Sequence, residues 1–292
     1  MIVITTPTGD IGSRVLDHVL DAGHDVRVIA RDPSKLADDV RSRVEIVEGS
    51  HADPTVIERA LDGATAAFWL PPGDPTAPSA QAGYVEFSRP FADALPGTSV
   101  THVVGVSALG RGWSKPAGLV TASLAMDDMI GATGVHYRAL CCASLMDNVL
   151  RQVDLIRGEG VFYAPTPGDL ELPQVAKSDV AALAAKLLTN PDWTGVEEVS
   201  LMGPENISHD AMASVMSDVL GKPVRFEEMP MAAFEGMLAS MGTSEGMVRD
   251  YAAMMTAKNE GMDTIAERRV RANTPTPFHQ WCERELVPVM GT

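Results

Sequence analysis

The first half of the chain predicts a doubly wound parallel α/β sheet. Three observations carry that expectation. Short β-rich runs alternate with helical patterns, several runs are apolar without interruption, and a glycine-bearing turn joins the first run to the first helix. Strands are expected over residues 1–5, 25–30, 44–47, 64–70, 98–106 and 135–141, all dense in Val, Ile, Ala and Phe. Continuous apolar character is what strands covered on both faces require. Between them, residues 13–22, 54–61 and 123–132 read as helices. The first carries Val15, Leu16, Val19 and Leu20 on one face and stops at Gly23. Alternation of this kind implies parallel pairing through right-handed crossovers.

The second half changes character. Residues 180–188 and 209–220 look helical, and 196–202 looks like one more strand. Residues 158–168, with three glycines and two prolines, read as a loop, and 74–79 is a short proline-bearing loop. From 232 to 270 the pattern is helical. The organisation expected is a nucleotide-binding domain over 1–150 and a smaller, mostly helical substrate-binding region over 151–292, with a soft boundary and interleaving left open.

Composition narrows the function classes. Hydrophobic residues make up 45% of 292, which excludes a disordered chain. The formal charge of −16 disfavours contact with phosphate backbones, so no nucleic-acid partner is expected. No run approaches the roughly 18 apolar residues of a membrane span. Met1 leads straight into Ile2-Val3-Ile4 without a basic stretch, and the three cysteines include no CxxC pair. A cytoplasmic setting without disulfides is therefore expected. The seven histidines show no ligand spacing, so no metal is expected, and no Gly-x-Ser-x-Gly elbow argues for a hydrolase.

The first strand runs into Thr6-Pro7-Thr8-Gly9-Asp10-Ile11-Gly12 and then a helix. Glycines in such a turn let backbone approach a pyrophosphate resting on the helix N-terminus, the signature of a Rossmann-type sheet. One feature departs from a full G-x-x-G-x-x-G motif: Thr6 stands where the first glycine would be, and Pro7 removes an N–H donor. Cofactor choice is set at the end of the second strand. That strand closes Val28-Ile29-Ala30-Arg31, with Lys35 one turn on, so a cation is available for a 2′-phosphate. Asp32, followed by Pro33, reads as a cap for the next turn. NADP(H) is expected over NAD(H). The residues expected at the cofactor are Thr6, Thr8, Gly9, Asp10, Ile11, Gly12, Arg31 and Lys35, with Leu70 and Pro71 after the fourth strand and Ser107 at the end of the fifth.

These residues carry a family resemblance. Val26 to Leu36, Tyr137 through Met146-Asp147-Asn148, Ser178-Asp179-Val180-Ala181, Leu201-Met202-Gly203-Pro204-Glu205, Leu220-Gly221-Lys222-Pro223-Val224 and the closing Thr276-Pro277-Phe278 all contribute. Together the chain resembles the NmrA-like, atypical short-chain dehydrogenase/reductase family, which includes NAD(P)H-dependent quinone reductases and redox-sensing regulators. The resemblance says little about the substrate; the leading expectation is an NADPH-dependent oxidoreductase acting on a flat, largely apolar carbonyl, quinone or enone. It leaves two alternatives: a non-catalytic NADP(H) sensor, and an isomerase that reuses the fold. Oligomeric state is left open.

The proton donor is not legible. Many short-chain reductases pair Tyr and Lys four residues apart on one helix, yet none of Tyr84, Tyr137, Tyr163 and Tyr251 is followed by that lysine. No lysine occurs between Lys115 and Lys177, where many members of the family carry one. Ser107 is the one weak catalytic candidate. Cys141 and Cys142, at the end of a strand, read as core.

Eight methionines fall between Met229 and Met262, with Phe234 and Tyr251 among them and glycines punctuating the run. Methionine is unbranched and polarizable, suited to irregular apolar surfaces. Met231, Phe234, Met237 and Met241 are expected to contact a small aromatic or quinonoid substrate, with Met146 and Asn148 beside them. The run is expected to form a mobile lid.

Overall fold

The apolar runs pair into one sheet because each must bury both faces. The computed structural model describes residues 1–265 and 274–291. Along the first half lie β1 (Ile2–Ile4), α1 (Asp10–Asp21), β2 (Val26–Ala30), α2 (Asp38–Arg41), β3 (Glu45–Glu48) and α3 (Pro54–Leu61). They are followed by β4 (Ala66–Trp69), α4 (Phe87–Ala94), β5 (His102–Ala108), α5 (Leu119–Gly131) and β6 (His136–Cys142). The second half begins with β7 (Ser144–Leu145), α6 (Val153–Glu159), β8 (Val161–Ala164), β9 (Leu172–Val175), α7 (Lys177–Thr189) and β10 (Val196–Leu201). It continues with β11 (Asn206–Ile207), α8 (His209–Leu220), β12 (Arg225–Glu228), α9 (Met231–Ser240) and α10 (Glu245–Asn259). Short helices α11 (Met262–Ile265), α12 (Phe278–Trp281) and α13 (Val287–Met290) complete the described chain. The expected helical run over 232–270 therefore appears as α9, α10 and α11; its last residues, 266–270, lie outside those described.

Seven parallel strands lie in the order β10-β6-β5-β4-β1-β2-β3. This is the doubly wound Rossmann-type sheet, with chain order reversing beside β1. Helix α1 packs on α7 over one face, while α3, α4 and α5 cover the other. In α1, Val15, Leu16, Val19 and Leu20 are buried, as their spacing requires, together with Ile11 and Gly12 in the first turn. Strands β1 and β4 are buried along their whole length.

The structure corrects or extends several expectations. Residues 158–168 are not wholly loop: they contain β8, which pairs in parallel with β12 at the register Arg225↔Val161. The glycines mark its ends. Gly160 takes φ +62 at the end of α6, and a Cβ there would meet the Pro223 carbonyl at 2.5 Å. Helix α4, preceded by a single π turn over Ala82–Glu86, went unread because Pro90 interrupts its pattern. The second half also returns to the first: β10 pairs with β6, and α7 packs on α1, so 177–201 complete the central sheet. What remains separate is a second core, in which Met146, Phe162, Met216, Phe278 and Trp281 bury one another between the small sheets, α8 and α12.

Candidate active site

The amino-terminal turn of α1 lies at the carboxyl end of β1, beside the point where strand order reverses. Crevices at such points receive ligands in open α/β sheets. The Gly9 N–H closes the turn on the Thr6 carbonyl at 3.0 Å, and within α1 Ser13 is the first residue whose N–H bonds back, to the Gly9 carbonyl at 2.8 Å. The N–H groups of Asp10, Ile11 and Gly12 are therefore left without helical partners. Gly9 caps the helix without a side-chain bond, and a Cβ on Gly12 would lie 2.1 Å from the Thr6 carbonyl. Glycine at 12 is thus what lets strand end and helix start close on each other.

Thr6 fills the missing glycine's position by accepting its backbone conformation. Its φ is +48, the only positive value on a non-glycine among the described residues. Its hydroxyl is buried without a hydrogen-bond partner, facing a loop built for an anion. Its N–H donates to Nε2 of His51 at 3.1 Å. His51, which follows β3, is 5% exposed and lies against Trp69 and Phe87. Burial, with a smaller contribution from the Arg31 charge, pulls its pKa down to about 4. The neutral ring is what accepts the Thr6 N–H. Sequence reasoning missed His51, since a lone histidine outside any motif carries no signal.

The remaining cofactor-side residues are placed as follows. Thr8 and Asp10 are exposed at the loop and Ile11 is buried beneath it. The Asp10 carboxylate binds Nζ of Lys177 at 2.5 Å, which lowers its pKa and balances its charge beside the anion site. Arg31 is exposed at the end of β2, close enough to His51 and Asp74 for its charge to be felt at both. Asp32 caps the following short turn, accepting from the Ser34 N–H at 3.1 Å, and Lys35 is exposed at its end. The Thr5 hydroxyl ties β1 to β4, accepting from the Leu70 N–H at 2.9 Å; Pro71 is buried next to it. An orphaned hydroxyl, three free N–H groups, a glycine cradle and a nearby guanidinium fit a dinucleotide with a 2′-phosphate.

Ser107 stands two residues beyond the Trp69–Gly105 pair, at the carboxyl edge of the sheet. Its hydroxyl faces α5, where it donates to Oδ2 of Asp127 and lies 3.2 Å from the Ser123 hydroxyl. The Tyr137 hydroxyl donates to Oδ1 of Asp127 at 2.6 Å. Gly105 makes this meeting geometrically feasible, since a Cβ there would lie 2.2 Å from the Tyr137 oxygen. Burial raises the Asp127 pKa to about 7, against the lowering effect of the two hydroxyl donors. Tyr137 is thus held by a carboxylate rather than by a lysine. Cys141 and Cys142 are buried with raised pKa values, caused first by desolvation, as core thiols should be.

The residues expected at the substrate are not brought together uniformly. Met146 is 1% exposed inside the second core, so it is a packing residue in this arrangement. Asn148 is exposed. Met231 and Phe234 are half-buried on α9, while Met237 and Met241 are exposed. Among the described residues no cluster of His, Cys, Asp and Glu could hold a metal, and no helix is long and apolar enough to cross a membrane.

Comparisons with known proteins identify the family and the fold. The NAD(P)H-binding family matches residues 7–191. A (4-alkanoyl-5-oxo-2,5-dihydrofuran-3-yl)methyl phosphate reductase of Streptomyces griseus is 30% identical, over 96% of each chain. An NAD(P)H azoreductase of Xenophilus azovorans is 23% identical, over 85% of this chain and 83% of its own. Among solved structures, the NADPH complex of an Escherichia coli NADPH-dependent quinone oxidoreductase superposes with TM-score 0.81 at 20% identity, covering 98% of this chain and all of that one. The NADP(H) complex of a Citrobacter triphenylmethane reductase gives 0.80 at 19% identity, covering 97% and 99%. The chain belongs to the NAD(P)H-binding family and is an NAD(P)H-dependent oxidoreductase.

Proposed function

We propose that the protein is an NADPH-dependent reductase of bulky, conjugated acceptors: quinones, enones or extended carbonyl compounds. The observation that carries this reading is the α1 turn, whose free N–H groups and orphaned Thr6 hydroxyl lie near Arg31. The bound nicotinamide would supply a hydride. The chain's own residues bind and orient. The N–H groups of Asp10, Ile11 and Gly12 hold the pyrophosphate, and Arg31, supported by Lys35, meets the 2′-phosphate. Ser107 offers a hydroxyl at the carboxyl edge of β5, and α9 covers the acceptor with Met231, Phe234, Met237 and Met241.

The named relatives support the acceptor class. One is named for a ring whose double bond carries two carbonyls on one of its carbons, others for azo, quinone and triphenylmethane substrates. All are conjugated, electron-accepting groups that take a hydride readily. The missing Tyr-Lys pair suits them, because charge delocalised over a conjugated system demands less from a general acid.

The test is NADPH absorbance with purified protein, challenged in turn with a naphthoquinone, an azo dye and an acyl-butenolide. Consumption with at least one conjugated acceptor, and little with a small aliphatic ketone, is the result expected. Tight NADPH binding with no consumption across all of them would overturn the reading in favour of a cofactor-binding regulator.

A further inference from the structure

We infer that Asp127 is a buried proton store that resupplies the Ser107 hydroxyl from a solvent cavity, replacing the absent Tyr-Lys relay. The inference rests on the reductase reading above and names the proton route for it.

The geometry is a continuous chain. At one end Ser107 stands at the carboxyl edge of β5 with a small exposed fraction, 7%. Its hydroxyl bonds Asp127, and Ser123 lies alongside. Asp127 itself is 3% exposed, on the face of α5 that covers β5 and β6. At the other end, a cavity of about 330 Å³ opens between α5, β6 and β10. Its wall includes Asp127, Tyr137, Glu198 and Arg111. A volume of this size holds several waters, and the Asp127, Arg111 and Glu198 side chains in its otherwise largely apolar wall supply their partners. The carboxyl group therefore has the reacting edge on one side and water on the other.

The groups facing Asp127 are set so that it can change charge. Tyr137 and Cys141 face it from β6, Glu198 from β10, Arg111 from the loop after β5, and Asp128 adjoins it on α5. Arg111 is claimed by others, binding Asp128 at 2.8 Å and Glu198 at 2.6 Å. Among the described residues no cation bonds Asp127 directly. Two hydroxyls hold both of its oxygens, and hydroxyls can reverse direction when the carboxyl is protonated. An ion pair would have fixed the charge; this arrangement leaves it free to move.

The step balances with one solvent proton. As the acceptor gains a hydride, negative charge develops on its oxygen or nitrogen. The Ser107 O–H bond breaks toward that atom, and the Asp127 O–H bond breaks toward Ser107 Oγ. A cavity water then returns a proton to the carboxylate. The sum is one hydride and one solvent proton added to the acceptor.

Asp127→Asn keeps one oxygen to accept from Tyr137 and turns an amide NH2 toward the Ser107 oxygen, but it cannot release a proton to that serine. Losing a general acid typically slows turnover by ~100-fold or more. With a relay that water can partly bypass, a fall in kcat of roughly 30- to 100-fold is expected, with unchanged NADPH affinity. Wild-type kcat should fall as pH rises through about 7, where Asp127 loses its proton, and the variant should lack that limb. Tyr137→Phe removes a donor to the charged form, so its limb should move to higher pH, a shift that mere loosening of packing does not produce. A second measurement needs no turnover. An infrared titration should show a protonated carboxyl C=O band that fades through neutral pH and is missing from Asp127→Asn. Turnover by Asp127→Asn at the wild-type rate with the same pH limb overturns the relay alone. Absence of the carboxyl band does the same. A wild type that consumes no NADPH with any acceptor overturns the reductase reading, and the relay with it.

Discussion

Asp127 and Asp128 are neighbours in sequence and opposite in circumstance. One is buried on the inner face of α5, the other pairs with Arg111 at the surface. Burial leaves Asp127 protonated up to about pH 7, whereas an unfolded chain would release that proton near 3.8. The folded state therefore holds an extra proton between those values, and stability should fall as pH rises through the window. At ~1.4 kcal/mol per pK unit, chemical denaturation between about pH 5 and pH 8 should show wild type losing about 2–3 kcal/mol more than Asp127→Asn. Parallel losses in both proteins would refute the burial argument. Arg31 is the other residue with a sharp consequence. Charge-assisted bonds to a 2′-phosphate contribute ~1.5–3 kcal/mol, so Arg31→Ala should weaken NADPH about 10- to 100-fold and NADH far less. Equal losses in calorimetry would remove Arg31 from cofactor choice. Among the described residues Tyr84, Tyr163 and Tyr251 have no carboxylate partner of this kind, and their replacement by Phe should each reduce kcat by less than ~100-fold.

The two longer helices of the methionine-rich run, α9 and α10, differ in how they are held. Helix α10 is pinned. Ser244 caps it and donates to the Ala77 carbonyl at 2.5 Å, Asp250 accepts from the Ala80 N–H at 2.7 Å, and Met247 is buried beside Ala77 and Leu119. Its Gly246 serves close approach rather than looseness, since a Cβ there would sit 1.8 Å from the Pro78 carbonyl. Helix α9 buries none of its residues and leaves Met241 73% exposed. Few buried contacts mean low local stability. Limited proteolysis of the free protein should therefore cut within 229–243 and spare α10, and NADPH with a bound aromatic acceptor should protect the cut site. Cutting that is indifferent to ligand would remove α9 from the substrate site. Sequence marked the methionines as one lid; only packing shows which half is anchored.

The whole molecule is clasped across its two cores by a few polar ties. Asp179 accepts from the N–H of Thr276 at 3.0 Å and from its hydroxyl at 2.8 Å, and Arg14 binds Glu285 through two bonds. Both link the central sheet to the carboxyl-terminal segment beneath the second core. Asp179→Ala should destabilise the protein by roughly 2 kcal/mol, the worth of a charge-assisted bond, lowering its thermal midpoint by a few degrees. An unchanged midpoint would show that the hydrophobic contacts of Phe278 and Trp281 hold the segment unaided. The sequence by itself determined the seven strands of the central sheet, the α1 turn and the basic end of β2, because each is written within a dozen contiguous residues as an apolar run, a glycine spacing or a cation after a strand. It also exposed what was missing, the Tyr-Lys pair. Tertiary structure decided the rest. His51 reaches Thr6 across 45 positions, and Ser107, Asp127 and Tyr137 meet only because Gly105 leaves space between β5 and α5. Such a site depends on which side chains share a buried volume, and no local pattern encodes that.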